Sequence, residues 1–336
     1  MKTLVSNKGA LSLSGPFLDH YNTGASGGIE EVPCNLCGAI ESVPLYTLQD
    51  NGYKTPGEFV LRRCLRCGLM YLSPRPTRET MAAYYPAEYA PYQLAVEDER
   101  WALMRWVRWR KLAKRRRLIE RYSDQKQGRL LDVGCATGLF LHEMNRAGWR
   151  VAGIEPIPSA AEYARRRFGL SVFQGTLRNA PYAAASFDAV TFWDVLEHTF
   201  SPAEELACAA RLLRPGGLLA LNVPNWDSLD RRLFSRHWLG LDPPRHLYVF
   251  SRETLTALLA QAGFSVLEWV GFMSGYFSFV VSLERWLETI NPQLSKCVRW
   301  AFSLPGMRFP FEPWFMLSNW LGKGAIISLF ARKTIS

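Results

Sequence analysis

The chain has 336 residues, 48% of them hydrophobic and 21% charged. That is enough apolar mass for one large or two modest domains, and it excludes a wholly disordered polymer. The net charge of +10 is local: nine Lys or Arg and one acid, Glu120, fall between Trp101 and Arg121, so a generally basic surface is also excluded.

Lys2 is followed by no continuous apolar run, and no stretch of about 18 uncharged apolar residues is present. A cytoplasmic protein is therefore expected, peripheral at most at the inner membrane surface. Residues 1–31 scatter Gly, Ser and Asn without a periodic apolar face and predict a flexible tail. Residues 32–80 hold four of the seven cysteines in two matched units, Cys34 to Gly38 and Cys64 to Gly68. Two residues between cysteines let both thiolates reach one metal ion from a tight turn. The glycine that follows each pair can take φ > 0 and let backbone N–H groups point at sulfur. Cys34, Cys37, Cys64 and Cys67 thus predict a closed, four-thiolate, structural Zn2+ site in a zinc ribbon. The isolated Cys135, Cys208 and Cys297 and the odd count argue against a disulfide framework.

Residues 81–127 read as a basic helical linker. Residues 97–122 lack Pro and Gly, and the cations there share the segment with Trp101, Trp106 and Trp109. From residue 128 the pattern becomes strand, turn, helix, repeated. Strands are predicted at 129–134, 150–156, 171–175, 187–195 and 217–224, and helices at 138–147, 158–168 and 202–214. A helix at 252–263 and strands at 264–272 and 325–333 complete the pattern. Alternation of this kind implies a Rossmann-like α/β fold: a seven-stranded, mostly parallel, doubly wound sheet with helices on both faces. Between the last two strands lies a helical insertion, 273–323. The stretch from Trp269 to Trp320 has 13 aromatics in 52 residues, about twice the chain average. The expected domains are 1–31, 32–80, 81–127, 128–272, 273–323 and a last strand in 324–336.

The segment Leu130, Leu131, Asp132, Val133, Gly134, Cys135, Ala136, Thr137, Gly138 reads as a buried strand running into a bare turn and a helix. Such a turn lets a ligand lie against backbone at a helix N-terminus, and dinucleotides and S-adenosylmethionine both use one. Charge separates the two. The dinucleotide fingerprint fails at Ala136 and Leu139, and Asp132 would repel a pyrophosphate. An ammonium and a sulfonium gain from that carboxylate. Glu155, ending the second strand before Pro156, suits ribose hydroxyls of either ligand.

These residues resemble motif I of the class I S-adenosylmethionine-dependent methyltransferases. Ser186 to Val190 resembles the family's fourth-strand signature, Asp194 to His198 the segment lining the adenosine pocket, and Leu212 to Gly217 the turn before the fifth strand. Pro244 to Ser251, then Ala262, Gly263 and Phe264, resemble the branch that includes ubiquinone-biosynthesis methyltransferases. The cysteine module resembles the zinc-binding segment attached to some methyltransferases of polysaccharide and natural-product pathways. The resemblance implies S-adenosyl-L-methionine held by Asp132, Gly134, Cys135, Ala136, Gly138, Glu155, Pro156, Thr176, Asp194, Val195 and His198. The third strand departs from the family: no acid follows it, which leaves adenine to backbone groups or Thr176.

Methyl transfer to oxygen or carbon calls for a proton acceptor. His246, in a loop after the fifth strand, is the candidate general base, set against a role bracing that loop; Tyr248 is a further candidate. The expected acceptor is a small molecule, a glycan precursor or a lipid-linked compound. An RNA methyltransferase fits less well, because charge outside one helix is balanced. A non-catalytic scaffold is opposed by the intact turn. The basic segment 101–121 and the insertion 273–323 are compatible with peripheral membrane contact, and a homodimer is compatible with the sequence.

Overall fold

A computed structural model describes residues 28–86, 102–271, 275–304 and 306–334. The tail expected over 1–31 lies outside them except at its end. There Ile29–Glu30 (β1) pairs with Arg75–Pro76. The cysteine module is built on β2 (Ser42–Leu48), β3 (Phe59–Cys64) and β4 (Met70–Leu72), followed by β5 (Arg75–Pro76). The basic segment forms one helix, α1 (Ala102–Tyr122).

The larger sheet follows from β6 (Arg129–Val133), α2 (Leu139–Arg146), β7 (Arg150–Glu155), α3 (Pro158–Phe168), β8 (Val172–Gln174), β9 (Phe187–Trp193), α4 (Pro202–Leu212) and β10 (Leu213–Pro224). The predicted fourth helix ran to residue 214, but the chain leaves it at Leu212. Leu213 is already extended, and Pro215, which lacks an N–H, disfavours helical backbone at Arg214, so β10 begins at Leu213. Next come α5 (Leu229–Phe234), β11 (Tyr248–Val249), α6 (Arg252–Gln261), β12 (Phe264–Val270), α7 (Tyr276–Glu288), α8 (Pro292–Ser303), α9 (Glu312–Trp320) and β13 (Ile326–Lys333).

The seven-stranded order is β12-β13-β10-β9-β6-β7-β8, with β13 antiparallel to both neighbours and the remaining pairs parallel. This is the predicted Rossmann-like sheet. Its strands are buried on both faces, as parallel strands must be. Period-2 alternation sends Leu130, with Ala189 and Ala220 on the adjacent strands, to one layer with Ile119, Leu141 and Met144. Leu131, Val190 and Leu219 face the other layer with Leu206, Leu255 and Leu258.

That second layer is continuous with the cysteine module, whose Leu61, Leu69 and Tyr71 belong to the same core. β11 leaves the larger domain to pair antiparallel with β4, giving a sheet of order β11-β4-β3-β2. Between the first two cysteines, Asn35 accepts a hydrogen bond from the Ala203 N–H at 3.0 Å through Oδ1 and donates to Ser201 Oγ at 3.1 Å. It thereby caps the N-terminus of α4, where Ser201 itself makes no side-chain cap. Asn35→Ala should therefore cost about 1 kcal/mol in urea unfolding, as an ordinary cap does. A loss below about 0.2 kcal/mol would mean that solvent satisfies this helix end equally well.

Candidate active site

The carboxyl ends of β6, β7, β8 and β9 converge on one edge, where parallel α/β sheets bind ligands. At β6 the chain turns through Gly134 (φ +68°) and Gly138 (φ +79°). A Cβ on Gly134 would stand 2.6 Å from Val195 Cγ2, and one on Gly138 would stand 2.7 Å from Leu170 Cδ1, so both positions need glycine. Ala136 also lies at positive φ. Glu155 braces this turn: Oε2 accepts from the Ala136 N–H at 2.8 Å and Oε1 from the Ile157 N–H at 2.9 Å. Burial raises its pKa despite those bonds. Cys135 is buried, and burial pushes its thiol up, which leaves it a packing group. Pro156 and Thr176 are exposed at the ends of β7 and β8.

Asp132 lies lower than the sequence suggested. It is 3% exposed and accepts from Thr191 Oγ1 at 2.6 Å. Burial raises its pKa to about 7 against the opposing pull of Thr191 and Arg115. Asp194, at positive φ just past β9, reaches the surface of the site.

Arg115 was not singled out in the sequence, where it is one of nine cations. The packing of α1 beside α2 and β10 brings it to this edge. Its Nη2 donates to Asp194 Oδ2 at 3.3 Å, and its guanidinium lies 4.5 Å from the Trp193 ring centroid. Its Nε is buried without a partner among the described residues. A cation thus stands between the carboxylates of Asp132 and Asp194, beside the bare turn.

A second cluster lies beside Asp194. The rings of His198 and His246 pack edge to face with centroids 4.6 Å apart. His198 Nδ1 is 3.0 Å from the Arg245 carbonyl and 3.1 Å from the Tyr85 hydroxyl; His246 Nδ1 is 2.9 Å from the Gly240 carbonyl. A carbonyl only accepts, so each Nδ1 carries the hydrogen and each Nε2 is left as a proton acceptor. Burial lowers both pKa values, that of His198 to about 3. His246 keeps the nearby Asp242 carboxylate as a counterweight to burial. Glu197, a further residue that sequence reasoning left out, offers one oxygen within 4.8 Å of both imidazoles. Its Oε2 is buried without a partner among the described residues, and burial raises its pKa well above the carboxylate range. Tyr248 is not placed for proton transfer. Its hydroxyl donates to the Phe200 carbonyl at 3.1 Å and accepts from Arg75 at 3.1 Å, and burial raises it to about 12.

The four paired cysteines converge elsewhere. Cys34 and Cys67 Sγ lie 3.4 Å apart, Cys37 and Cys64 Sγ 3.5 Å, and all four sulfurs fall within 4.8 Å of one another. Four thiolates at about 2.3 Å from one ion would be spaced about 3.8 Å apart, so the sulfurs fit a tetrahedral metal. Gly38 (φ +71°) and Gly68 (φ +79°) turn the two knuckles as the spacing predicted.

Residues 105–268 match the family described as a methyltransferase domain. A ubiquinone biosynthesis O-methyltransferase of Methylocella silvestris is 42% identical over 96 residues, covering 27% of this chain and 38% of the relative. The protein of the same name from Xanthomonas oryzae pv. oryzae is 38% identical over 108 residues, covering 30% of this chain and 45% of the relative. The chain thus spans less than half the length of either. A solved S-adenosylmethionine-dependent methyltransferase from Mesorhizobium loti is 16% identical with a TM-score of 0.44, over 65% of this chain and 96% of that one. Residues 105–268, just under half of the chain, are thus similar to a methyltransferase domain.

The position of Asp132 gives the site a pH dependence. With a pKa of about 7 it is half protonated near neutrality, and a cationic ligand favours its ionised form. Affinity for S-adenosylmethionine should rise as pH climbs through 7. Below 7 it should fall by up to about tenfold per pH unit. Calorimetry at pH 6, 7 and 8 should show this in the native protein and a flat, weaker profile in Asp132→Asn. Parallel profiles in the two proteins would remove Asp132 from cofactor binding.

Proposed function

We propose that the protein transfers the methyl group of S-adenosylmethionine to an oxygen or carbon of a small-molecule acceptor, a class that takes in glycan precursors and lipid-like compounds. The observation that carries this reading is the charge pattern over the glycine turn. A pyrophosphate would meet Asp132 and Asp194. The methionine part of S-adenosylmethionine would find Arg115 for its carboxylate and two acids for its ammonium and sulfonium. The turn of Gly134, Cys135, Ala136 and Gly138 would lie under the nucleoside, with Glu155 toward ribose and Pro156, Thr176, Val195 and His198 around the base.

When bound, the sulfonium supplies an activated methyl group, so the protein's work is to position the acceptor, exclude water and take a proton. His246 is the base: neutral, hydrogen-bonded through Nδ1, and with no hydrogen bond at Nε2 among the described residues. His198, with the lower pKa, shapes the pocket. Structural Zn2+ is assigned to Cys34, Cys37, Cys64 and Cys67, which close its coordination sphere and leave no position for chemistry.

Incubation of the protein with isotope-labelled S-adenosylmethionine and a small-metabolite extract should yield a product heavier by one labelled methyl. His246→Gln should lower that yield by about 10²–10⁴-fold while S-adenosylhomocysteine still binds. Full yield from His246→Gln would assign the histidine to bracing alone. Label found only in RNA would favour the nucleic-acid alternative.

The insertion supports the reading of peripheral membrane contact. On α9, Phe315 and Ser318 are buried, while Met316 (69% exposed), Leu317, Trp320 (82%) and Leu321 face outward with Phe309. Arg308 and Glu312, at the start of this helix, lie within electrostatic reach of Lys111 on the basic helix, next to Arg110, whose guanidinium lies over the Trp106 ring. No helix among the described residues is long and apolar enough to cross a membrane. An apolar face beside concentrated positive charge suits the surface of an anionic bilayer. The protein should sediment with phosphatidylglycerol vesicles and not with phosphatidylcholine vesicles, and Trp320→Ser should weaken this severalfold. A dimer in sedimentation that Trp320→Ser dissociates, without vesicle binding, would instead assign the face to a second copy.

A further inference from the structure

The cysteine module reaches the acceptor side of the site through one fully buried side chain. Arg245 donates through Nε and Nη2 to the two oxygens of Asp242, at 2.8 and 3.1 Å. It donates through Nη1 and Nη2 to the two oxygens of Asp50, both at 2.8 Å. Nη1 also reaches the Tyr84 carbonyl at 3.1 Å, and the guanidinium lies 4.7 Å from the Tyr53 ring centroid. Arg285 of α7 donates to Asp242 at 3.0 Å. Two arginines face two aspartates, and the buried set is neutral only with Asp50 in place.

Asp50 belongs to the loop between β2 and β3, far in sequence from Arg245. Its carboxylate is held by the N–H groups of Gly52 and Tyr53, each at 3.0 Å, and by Thr55 Oγ1 at 2.5 Å. It is a fixed fork and not a mobile surface acid. The far side of Arg245 faces the histidines. Its carbonyl sets the hydrogen position of His198, and its neighbour in sequence is His246, whose N–H donates to the Asp242 carbonyl at 3.1 Å. A shift of Arg245 therefore moves both imidazoles.

We infer that Asp50, a residue of the zinc-bearing module, is a positioning residue for methyl transfer, acting through Arg245 on His198 and His246. The module's role then extends beyond its own fold: it supplies one wall of the acceptor site. This rests on the reading of that site given above. It adds that the larger domain alone, which is all that residues 105–268 contain, lacks a part the histidines need.

The test uses the full chain labelled with 15N-histidine, its imidazole signals assigned from His198→Gln and His246→Gln. In the native protein both rings should show a single tautomer with hydrogen on Nδ1. In Asp50→Asn those two signals should shift or broaden toward tautomer averaging, while His142 stays in place and S-adenosylhomocysteine affinity changes less than about threefold. Asp50→Glu keeps the charge and serves if the asparagine variant fails to fold; it should move the same two signals by less. Glu58→Gln, an exposed acid of the same module, should move neither. Unchanged His198 and His246 signals in the Asp50 variant that folds would overturn the inference, as would a shift of all histidines together with lost ligand affinity. Failure of the native protein to bind S-adenosylhomocysteine would sink the methyltransferase reading instead and leave the Asp50 result standing.

Discussion

A guanidinium taken wholly out of water is the constraint around which the histidine cluster is arranged. Removing such an ion from solvent costs several kcal/mol, and only close, well-directed partners offset that. Arg245 has them in Asp50, Asp242 and the Tyr84 carbonyl. Those partners come from the cysteine module, from the loop after β10 and from the turn that precedes the basic segment, and α7 adds Arg285 through Asp242. A buried ion network of this kind is weak evidence for stability but strong specification of register, because a partner displaced by an ångström leaves a charge unpaired. Four separate stretches of chain are held to one geometry beside the two histidines.

The donor side is arranged by backbone. The turn after β6 needs glycine at 134 because Val195 closes over it, and at 138 because α3 and Leu170 approach from below. Glu155 then holds the turn through the Ala136 N–H, so the carboxylate proposed for ribose also fixes the conformation of the turn.

What could be read from the sequence was local in its cause. Strand-turn-helix periodicity located the seven strands to within a few residues, because alternation and turn chemistry are set by neighbours along the chain. The cysteine knuckles were legible for the same reason. What escaped reading depends on packing between distant segments. Nothing in residues 102–122 marks Arg115 among its eight fellow cations; only the seat of α1 beside β10 selects it. The sequence marks neither Asn35, between two cysteines, nor Asp50, in the loop between β2 and β3. Tyr248 and Val249 gave no sign that they complete another module's sheet. Even Asp132, correctly placed at a strand end, turned inward to Thr191, since a sheet bonded on both sides of β6 leaves a neighbouring hydroxyl within reach.

The burial of the acids gives these separate features a common consequence. Asp132, Glu155 and Glu197 all lie within the converging strand ends, and burial raises the pKa of each. Such a shift measures how poorly the protein alone solvates negative charge there. Arg115 relieves part of it at Asp132. A ligand bearing positive charge at the same edge would relieve more, and the free energy stored in those raised values would then appear as affinity. Burial acts on the histidines in the opposite sense, keeping them uncharged, so they add no repulsion toward a sulfonium and remain able to accept a proton. One physical cause, exclusion of water from a crevice lined with acids and imidazoles, thus favours positive charge in a ligand and keeps both imidazoles neutral.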